Sequence, residues 1–148
     1  FIGRPFKWVM KQEIRDIPFV GWACKAAGFI FINRKAMKQA LHSMEEAKKT
    51  LSNGVSVVIF PEGTRTKTGL TGAFKRGAFK IAIEMNLPIV PVSISGAYNI
   101  WPTTRKYPIP GRLKMTIHKP VELHEDQEHR NEQIESIRQT VISGIVKS

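Results

Sequence analysis

Glu62 and Arg65 stand around a glycine turn in Phe60-Pro61-Glu62-Gly63-Thr64-Arg65, directly after the apolar run Val55 to Phe60. At the end of a buried strand the backbone turns out of the core, so an acid and a base placed there can face a crevice. Gly63 permits the turn, and Pro61 stops the strand. Arg65 suits an oxyanion of phosphate, because a planar, permanently charged guanidinium makes paired hydrogen bonds to it. Glu62 would repel phosphate, which leaves it the tasks of fixing an arginine or accepting a hydrogen bond from a substrate hydroxyl. Thr64 adds a hydroxyl donor. Taken alone, E-G-x-R more often describes a solvated turn whose ion pair contributes little.

Two further blocks accompany the loop. Gly28-Phe29-Ile30-Phe31-Ile32-Asn33-Arg34 is an apolar strand ending in an arginine, and Ile89-Val90-Pro91-Val92-Ser93-Ile94 is another with an internal proline. Upstream stand Lys11-Gln12-Glu13-Ile14, Ile17-Pro18 and Gly21-Trp22, and Phe74-Lys75-Arg76-Gly77-Ala78 lies between Arg65 and Ile89. In this order, over residues 6 to 121, the blocks resemble the glycerolipid acyltransferase family. The resemblance implies an α/β fold with a mostly parallel central sheet flanked by helices, in a single domain over 1–148. It implies transfer of a fatty acyl group to the sn-2 hydroxyl of 1-acylglycerol 3-phosphate, giving phosphatidic acid. The donor would be acyl-CoA or acyl-carrier protein, and no cofactor is expected beyond that donor substrate.

Acyl transfer to an alcohol needs a base to take the hydroxyl proton as the oxygen attacks the thioester carbonyl. In the family that base is a histidine with an aspartate five positions later. This chain lacks the pair: its aspartates are Asp16 and Asp126, and five positions before them stand Lys11 and Val121. The resemblance therefore implies a domain without its N-terminal portion, which holds acceptor-binding residues but not the catalytic ones, and which is inactive by itself. The acceptor's phosphate must be held at a fixed distance from the base. By resemblance Arg34 and Arg65 carry the glycerol phosphate, Lys11 assists, and Glu62, Gly63 and Thr64 complete the loop. Asn33 stands where members commonly have aspartate. Pro91 and Val92 are expected to shape an acyl-chain wall.

Composition bounds these readings. A chain of 148 residues, 42% hydrophobic and 24% charged, is an ordinary globular domain. The lone Cys24 excludes an internal disulfide, and its alanine-rich surroundings suit a small buried apolar residue. The net charge of +11 calls for an anionic partner. In the first 25 residues Arg4, Lys7, Lys11, Arg15 and Lys25 are interleaved with Phe1, Phe6, Trp8, Phe19 and Trp22. That mixture fits an anionic membrane surface, and equally a core with a solvated basic face. No nucleic-acid module is present and nucleic acid is not expected as a partner. The expected location is the cytoplasmic face of a membrane, peripheral or anchored through a segment before Phe1. Two rivals stay open: a non-catalytic basic module that binds anionic lipid or nucleic acid, and an acyltransferase acting on another glycerolipid acceptor.

The elements that must position these residues alternate between strand and helix patterns. Strands are expected at Phe6 to Met10, Phe29 to Asn33, Val55 to Phe60, Ile89 to Ile94 and Arg112 to Lys119, and the Val55 run is apolar enough for burial on both faces in a parallel sheet. Helices are expected at Val20 to Ala27, Lys35 to Ser52, Ala73 to Met85 and Glu128 to Val146. Pro91 requires its strand to lie at an edge or to bulge. The loop from Ser95 to Gly111, with Pro102, Pro108 and Pro110, is long enough to suggest a functional part. His42 and His118 read as surface histidines, and His124 and His129 lack the spacing of a metal site.

Overall fold

The apolar stretch after Pro5 becomes β1 (Phe6–Lys11), the middle strand of a three-stranded sheet. The computed structural model describes residues 5–32, 37–126 and 128–146, with backbone alone over 37–42, and divides the chain into two compact units, Phe1–Phe60 and Pro61–Ser148.

In the first unit β1 pairs in parallel with β2 (Ile30–Ile32) and with β3 (Ser56–Val58). The pairing is staggered: Phe6 to Trp8 meet Ser56 to Val58, while Val9 to Lys11 meet Ile30 to Ile32. Parallel neighbours require crossovers. The first consists of a 3₁₀ turn (Gln12–Asp16) and α1 (Val20–Ala26), and the second of α2 (Met37–Ser52), which Gly54 ends at a φ of 74°. Ile30 of β2 and Ala47 of α2 are buried, and the Ser43 hydroxyl donates to the Phe31 carbonyl at 2.8 Å. The parallel sheet is as expected from sequence. Burial of β3 on both faces is not: all three of its residues are half-buried, and Phe60 beyond it stacks on Trp8 at 5.6 Å while remaining exposed.

The second unit gathers around Phe79, Leu123, Ile134 and Ile137, against which Phe74, Ala78, Ile83, Ile89 and Val121 pack. These come from α3 (Gly77–Glu84), from the terminal helix, from the segments between and, for Phe74, from just before α3. Each such side chain removed from water contributes about 1.5–3 kcal/mol before entropy is counted. Two strands, β4 (Val92–Ser95) and β5 (Lys114–Ile117), pair antiparallel, with a four-residue helix α4 (Ala97–Ile100) in the loop between them. The last element, α5 (Arg130–Ser143), buries Ile134 and Ile137, the positions its apolar spacing selects. Pro91 acts as expected. Ile89 bridges Val121, the ladder resumes at Val92, and between them Pro91 accepts from His118 N–H at 3.0 Å without returning a bond.

The helix expected from Ala73 begins at Gly77 instead. Residues 71–75 are tied elsewhere: Lys75 N–H donates to the Pro61 carbonyl at 2.9 Å, and the carbonyls of Thr71 and Gly72 accept from Arg138. Backbone groups occupied by tertiary partners are not free to start a helical ladder.

Candidate functional site

The loop that follows β3 is built by local chemistry and then pinned from outside. Gly63 is buried with a φ of 74°, a conformation that costs other residues about 1–2 kcal/mol. The Thr66 hydroxyl accepts from the N–H groups of Thr68 and Gly69 at 3.2 and 3.1 Å, which curls the middle of the loop. Glu62 closes it: Oε2 accepts from Gly72 N–H at 2.7 Å. Among the described residues, then, the Glu62 carboxylate fixes a backbone amide, whereas its type suggested an arginine or a substrate hydroxyl as the partner.

Two elements hold this loop in place. From α4 and its end, Tyr98 donates its hydroxyl to the Lys67 carbonyl at 2.9 Å, and the Trp101 ring lies under Arg65, 5.1 Å from the guanidinium carbon. Trp101 is itself held by its indole N–H, which donates to the Arg105 carbonyl at 3.1 Å. From α5, Arg138 spreads its planar fork over two successive carbonyls, Nε to Gly72 at 2.7 Å and Nη2 to Thr71 at 2.6 Å, while Nη1 donates to Glu135 at 2.7 Å. Bonds from Gln139 and from Arg138 hold the Glu135 carboxyl below its ordinary value.

Arg65 is thus oriented without being neutralised. It is exposed, and among the described residues no carboxylate pairs with it. A cation–π contact of this kind contributes about 0.5–1 kcal/mol, enough to bias the side chain. Charge-assisted hydrogen bonds to a phosphate contribute about 1.5–3 kcal/mol each, so an arriving anion would prevail, and the guanidinium edge stays open while its face rests on Trp101. Thr64, next to it, is exposed.

Lys11 ends β1 in the first unit, exposed, in register with Ile32 of β2. Arg34 follows two residues after Ile32 and lies outside the described residues, as does Asn33. The carboxyl ends of parallel strands are where open α/β sheets place ligands, and β1, β2 and β3 all point their ends the same way.

The histidines divide differently from their sequence reading. His118 is half-buried, and its Nε2 lies 2.7 Å from the hydroxyl of Ser93, which is fully buried. Ser93 spends its one proton on the Val141 carbonyl at 2.5 Å, so His118 Nε2 is the donor and that nitrogen cannot serve as a base. A side chain at Gly144 would meet Ser93 Oγ at 2.5 Å, so the glycine lets α5 close over this pair. His118 is therefore a structural tie between β4, β5 and the end of α5, and not the surface histidine expected from sequence. His129 binds Asp126 through Nδ1 at 2.7 Å on the surface, and Cys24 is a half-buried free thiol. A groove of about 450 Å³ lies between Ile100, Ile109, Leu113 and Val146, with Arg112 and Lys114 also lining it. Neither Pro91 nor Val92 lines that groove.

Sequence reasoning did not find Trp101, Tyr98 or Arg138. The first two sit in or beside the proline-rich loop whose length marked it as functional. Arg138 reads in sequence only as a helix-surface partner of Glu135.

Comparison with known proteins gives the family. The Acyltransferase family model matches residues 2–95. This chain belongs to the acyltransferase family. Among curated acyltransferases, the chloroplastic 1-acyl-sn-glycerol-3-phosphate acyltransferase LPAT1 of Arabidopsis thaliana is 35% identical over 121 residues, 81% of this chain and 34% of that protein. The 1-acyl-sn-glycerol-3-phosphate acyltransferase of Pseudomonas aeruginosa is 35% identical over 114 residues, 76% of this chain and 44% of that protein. The crystal structure of the 1-acyl-sn-glycerophosphate (LPA) acyltransferase PlsC from Thermotoga maritima aligns with a TM-score of 0.74 at 29% identity, over 97% of this chain and 59% of that one. This acyltransferase chain therefore spans about a third to three fifths of the length of these relatives.

Proposed function

We propose that the chain carries the acceptor-binding part of a 1-acylglycerol-3-phosphate acyltransferase, in which Arg65 holds the acceptor's phosphate. The observation that carries this reading is the Arg65 guanidinium, seated on Trp101 at 5.1 Å and unpaired with any carboxylate among the described residues. A cation kept in one orientation and left uncompensated is ready for an anion. Lys11, which ends β1, and Arg34, outside the described residues, are cations that the family resemblance alone assigns to glycerol phosphate. Glu62 and Gly63 shape the loop that presents Arg65, and Thr64 offers its hydroxyl beside it. The relatives named above act, by their names, on 1-acyl-sn-glycerol 3-phosphate, and that acceptor is the one assigned here.

The transfer itself attaches the acyl carbonyl of an acyl-CoA or acyl-carrier-protein thioester to the sn-2 oxygen, releasing the thiol and giving phosphatidic acid. It needs a base for the sn-2 hydroxyl proton. No histidine of these 148 residues has an aspartate five positions on, and His118 and His129 are engaged with Ser93 and Asp126. The part assigned to this chain is holding the acceptor, at a lipid surface where that acceptor resides.

Binding tests this directly. A short-chain lysophosphatidate should bind the chain more tightly than the monoacylglycerol that lacks the phosphate, and Arg65→Ala should reduce that preference about tenfold or more, the value of a charge-assisted hydrogen bond. An unchanged preference would remove Arg65 from the acceptor site. Incubated with acyl-CoA and lysophosphatidate, the chain alone should show no transfer above background; measurable turnover would mean that one of its own histidines acts as base.

A further inference from the structure

An exposed aromatic tip in the first unit is held by an unusual backbone. Val20 N–H donates to the Pro18 carbonyl at 2.7 Å, and between them Phe19 takes a φ of 63° and a ψ of −52°. This is the γ-turn of positive φ, rare and strained for any residue with a side chain. Gly21, two residues on, is buried, and a Cβ there would stand 2.1 Å from the Arg15 carbonyl oxygen. The helix α1 is thus seated on the preceding 3₁₀ turn through a glycine, and its neighbours face away. Phe19 is 77% exposed and Trp22 65%, with Ile17 and Val20 about half exposed beside them. The rings of Phe19 and Trp22 meet edge to face at 5.4 Å.

Single exposed apolar residues are ordinary, but four together on a strained tip mark an interaction surface. If the fold alone set residue 19, glycine would serve better. Around the tip the exposed cations Lys11, Arg15 and Lys25 outnumber the exposed acids Glu13 and Asp16, in a chain of net charge +11. Trp beside cations is the composition that enters a headgroup boundary, where the ring is half apolar and half wet. Among the described residues no helix is long and apolar enough to cross a membrane.

We propose that residues 17–22 form a wedge that inserts Phe19 and Trp22 into an anionic bilayer, with Arg15 and Lys25 on the lipid phosphates. The proposal rests on the lipid-acceptor reading and names the surface by which the chain reaches that lipid. Apolar insertion and basic attraction are each weak alone and suffice together, so both are required.

The test is co-sedimentation of the whole chain with vesicles of phosphatidylcholine, with and without phosphatidylglycerol. The unmodified chain should bind the anionic vesicles and bind pure phosphatidylcholine weakly. The pair Phe19→Gly and Trp22→Ser should cut binding about tenfold or more, since it removes two aromatic rings from the lipid phase. Phe19→Gly also relieves the strained turn, so unfolding temperature should hold or rise while binding falls. As a check on folding, bromine-labelled lipid should quench tryptophan emission of the unmodified chain, and the conservative Trp22→Phe should remove most of that quenching. Equal vesicle binding by the double variant would overturn the wedge and leave the lysophosphatidate preference of Arg65 untouched. Failure of the unmodified chain to bind vesicles would overturn it too, while soluble lysophosphatidate binding would still judge the acceptor reading. Self-association without lipid that the double variant abolishes would assign the tip to a second copy and overturn the proposal.

Discussion

Glu62 and Arg138 grip Gly72 from opposite sides: Glu62 Oε2 takes its N–H at 2.7 Å, and Arg138 Nε donates to its carbonyl at 2.7 Å. An acid at the start of the loop and a base on a distant helix therefore meet at Gly72, and Arg138 also holds the Thr71 carbonyl before it.

Because both contacts secure the same chain segment, they should be coupled. Glu62→Ala and Arg138→Met should each lower unfolding stability by about 1–2 kcal/mol, as loss of a charge-assisted bond does. The double variant should lose less than the sum, with an interaction of about 0.5 kcal/mol or more in a denaturant-unfolding cycle. Strict additivity would mean that the two ends of the loop are ordered independently.

Trp101→Leu removes the ring face from Arg65 while keeping an apolar side chain. Lysophosphatidate affinity should fall about two- to fivefold, the value of an exposed cation–π contact, with little change in stability. Arg65→Lys should fall further, since an ammonium cannot both lie flat on indole and present a paired edge. Calorimetric titration of the two variants measures this, and equal affinity to the unmodified chain would dismiss the indole as a positioning element.

Gly21→Ala places a carbon 2.1 Å from the Arg15 carbonyl oxygen, a backbone atom with nowhere cheap to go. The expected cost is at least about 1–3 kcal/mol, the usual range for overpacking, read as a lower thermal midpoint. An unchanged midpoint would show that α1 lifts off the 3₁₀ turn freely.

The His129 imidazole is raised above its ordinary 6.5, first by its hydrogen bond to Asp126 and then by that carboxylate's charge. Asp126 is lowered below its ordinary 3.8, first by the His129 backbone N–H and then by the His129 ring. The histidine's contribution is present below its ordinary value and is lost as pH rises through the raised one. The aspartate's is present above its ordinary value and is lost as pH falls through the lowered one. The pair is therefore intact across the acid-to-neutral range between. Ring-proton NMR should show His129 titrating later than 6.5, and Asp126→Asn should bring it back; no movement would contradict the pairing.

What could be read in the sequence was local. Strand cores at Phe6 to Met10 and Ile30 to Ile32, the helix from Val20, and the periodic face of Ile134 and Ile137 appear where their spacing places them, because each depends on residues near in the chain. The Glu62 loop was legible as a turn, since Pro61 and Gly63 declare it. Its attachments were not. Arg138 reaches Gly72 from 66 positions away, and Ser93 meets His118 from 25, with no pattern in either neighbourhood to announce the partner. The late start of α3 has the same cause: Ala73 to Arg76 have helical composition, but the residues around them are bonded to Pro61 and α5 before a helix can claim them.

The staggered pairing of β1 also sets an order of events during synthesis. Its second half finds Ile30 to Ile32 early, but the partner that Phe6 to Trp8 have among the described residues, Ser56 to Val58, leaves the ribosome fifty residues later. At about 5–20 residues per second, that leaves Phe6 and Trp8 exposed for several seconds on every nascent chain. The strand at the heart of the first unit is thus also its most vulnerable stretch before the polypeptide is finished, and the one a chaperone would be expected to cover.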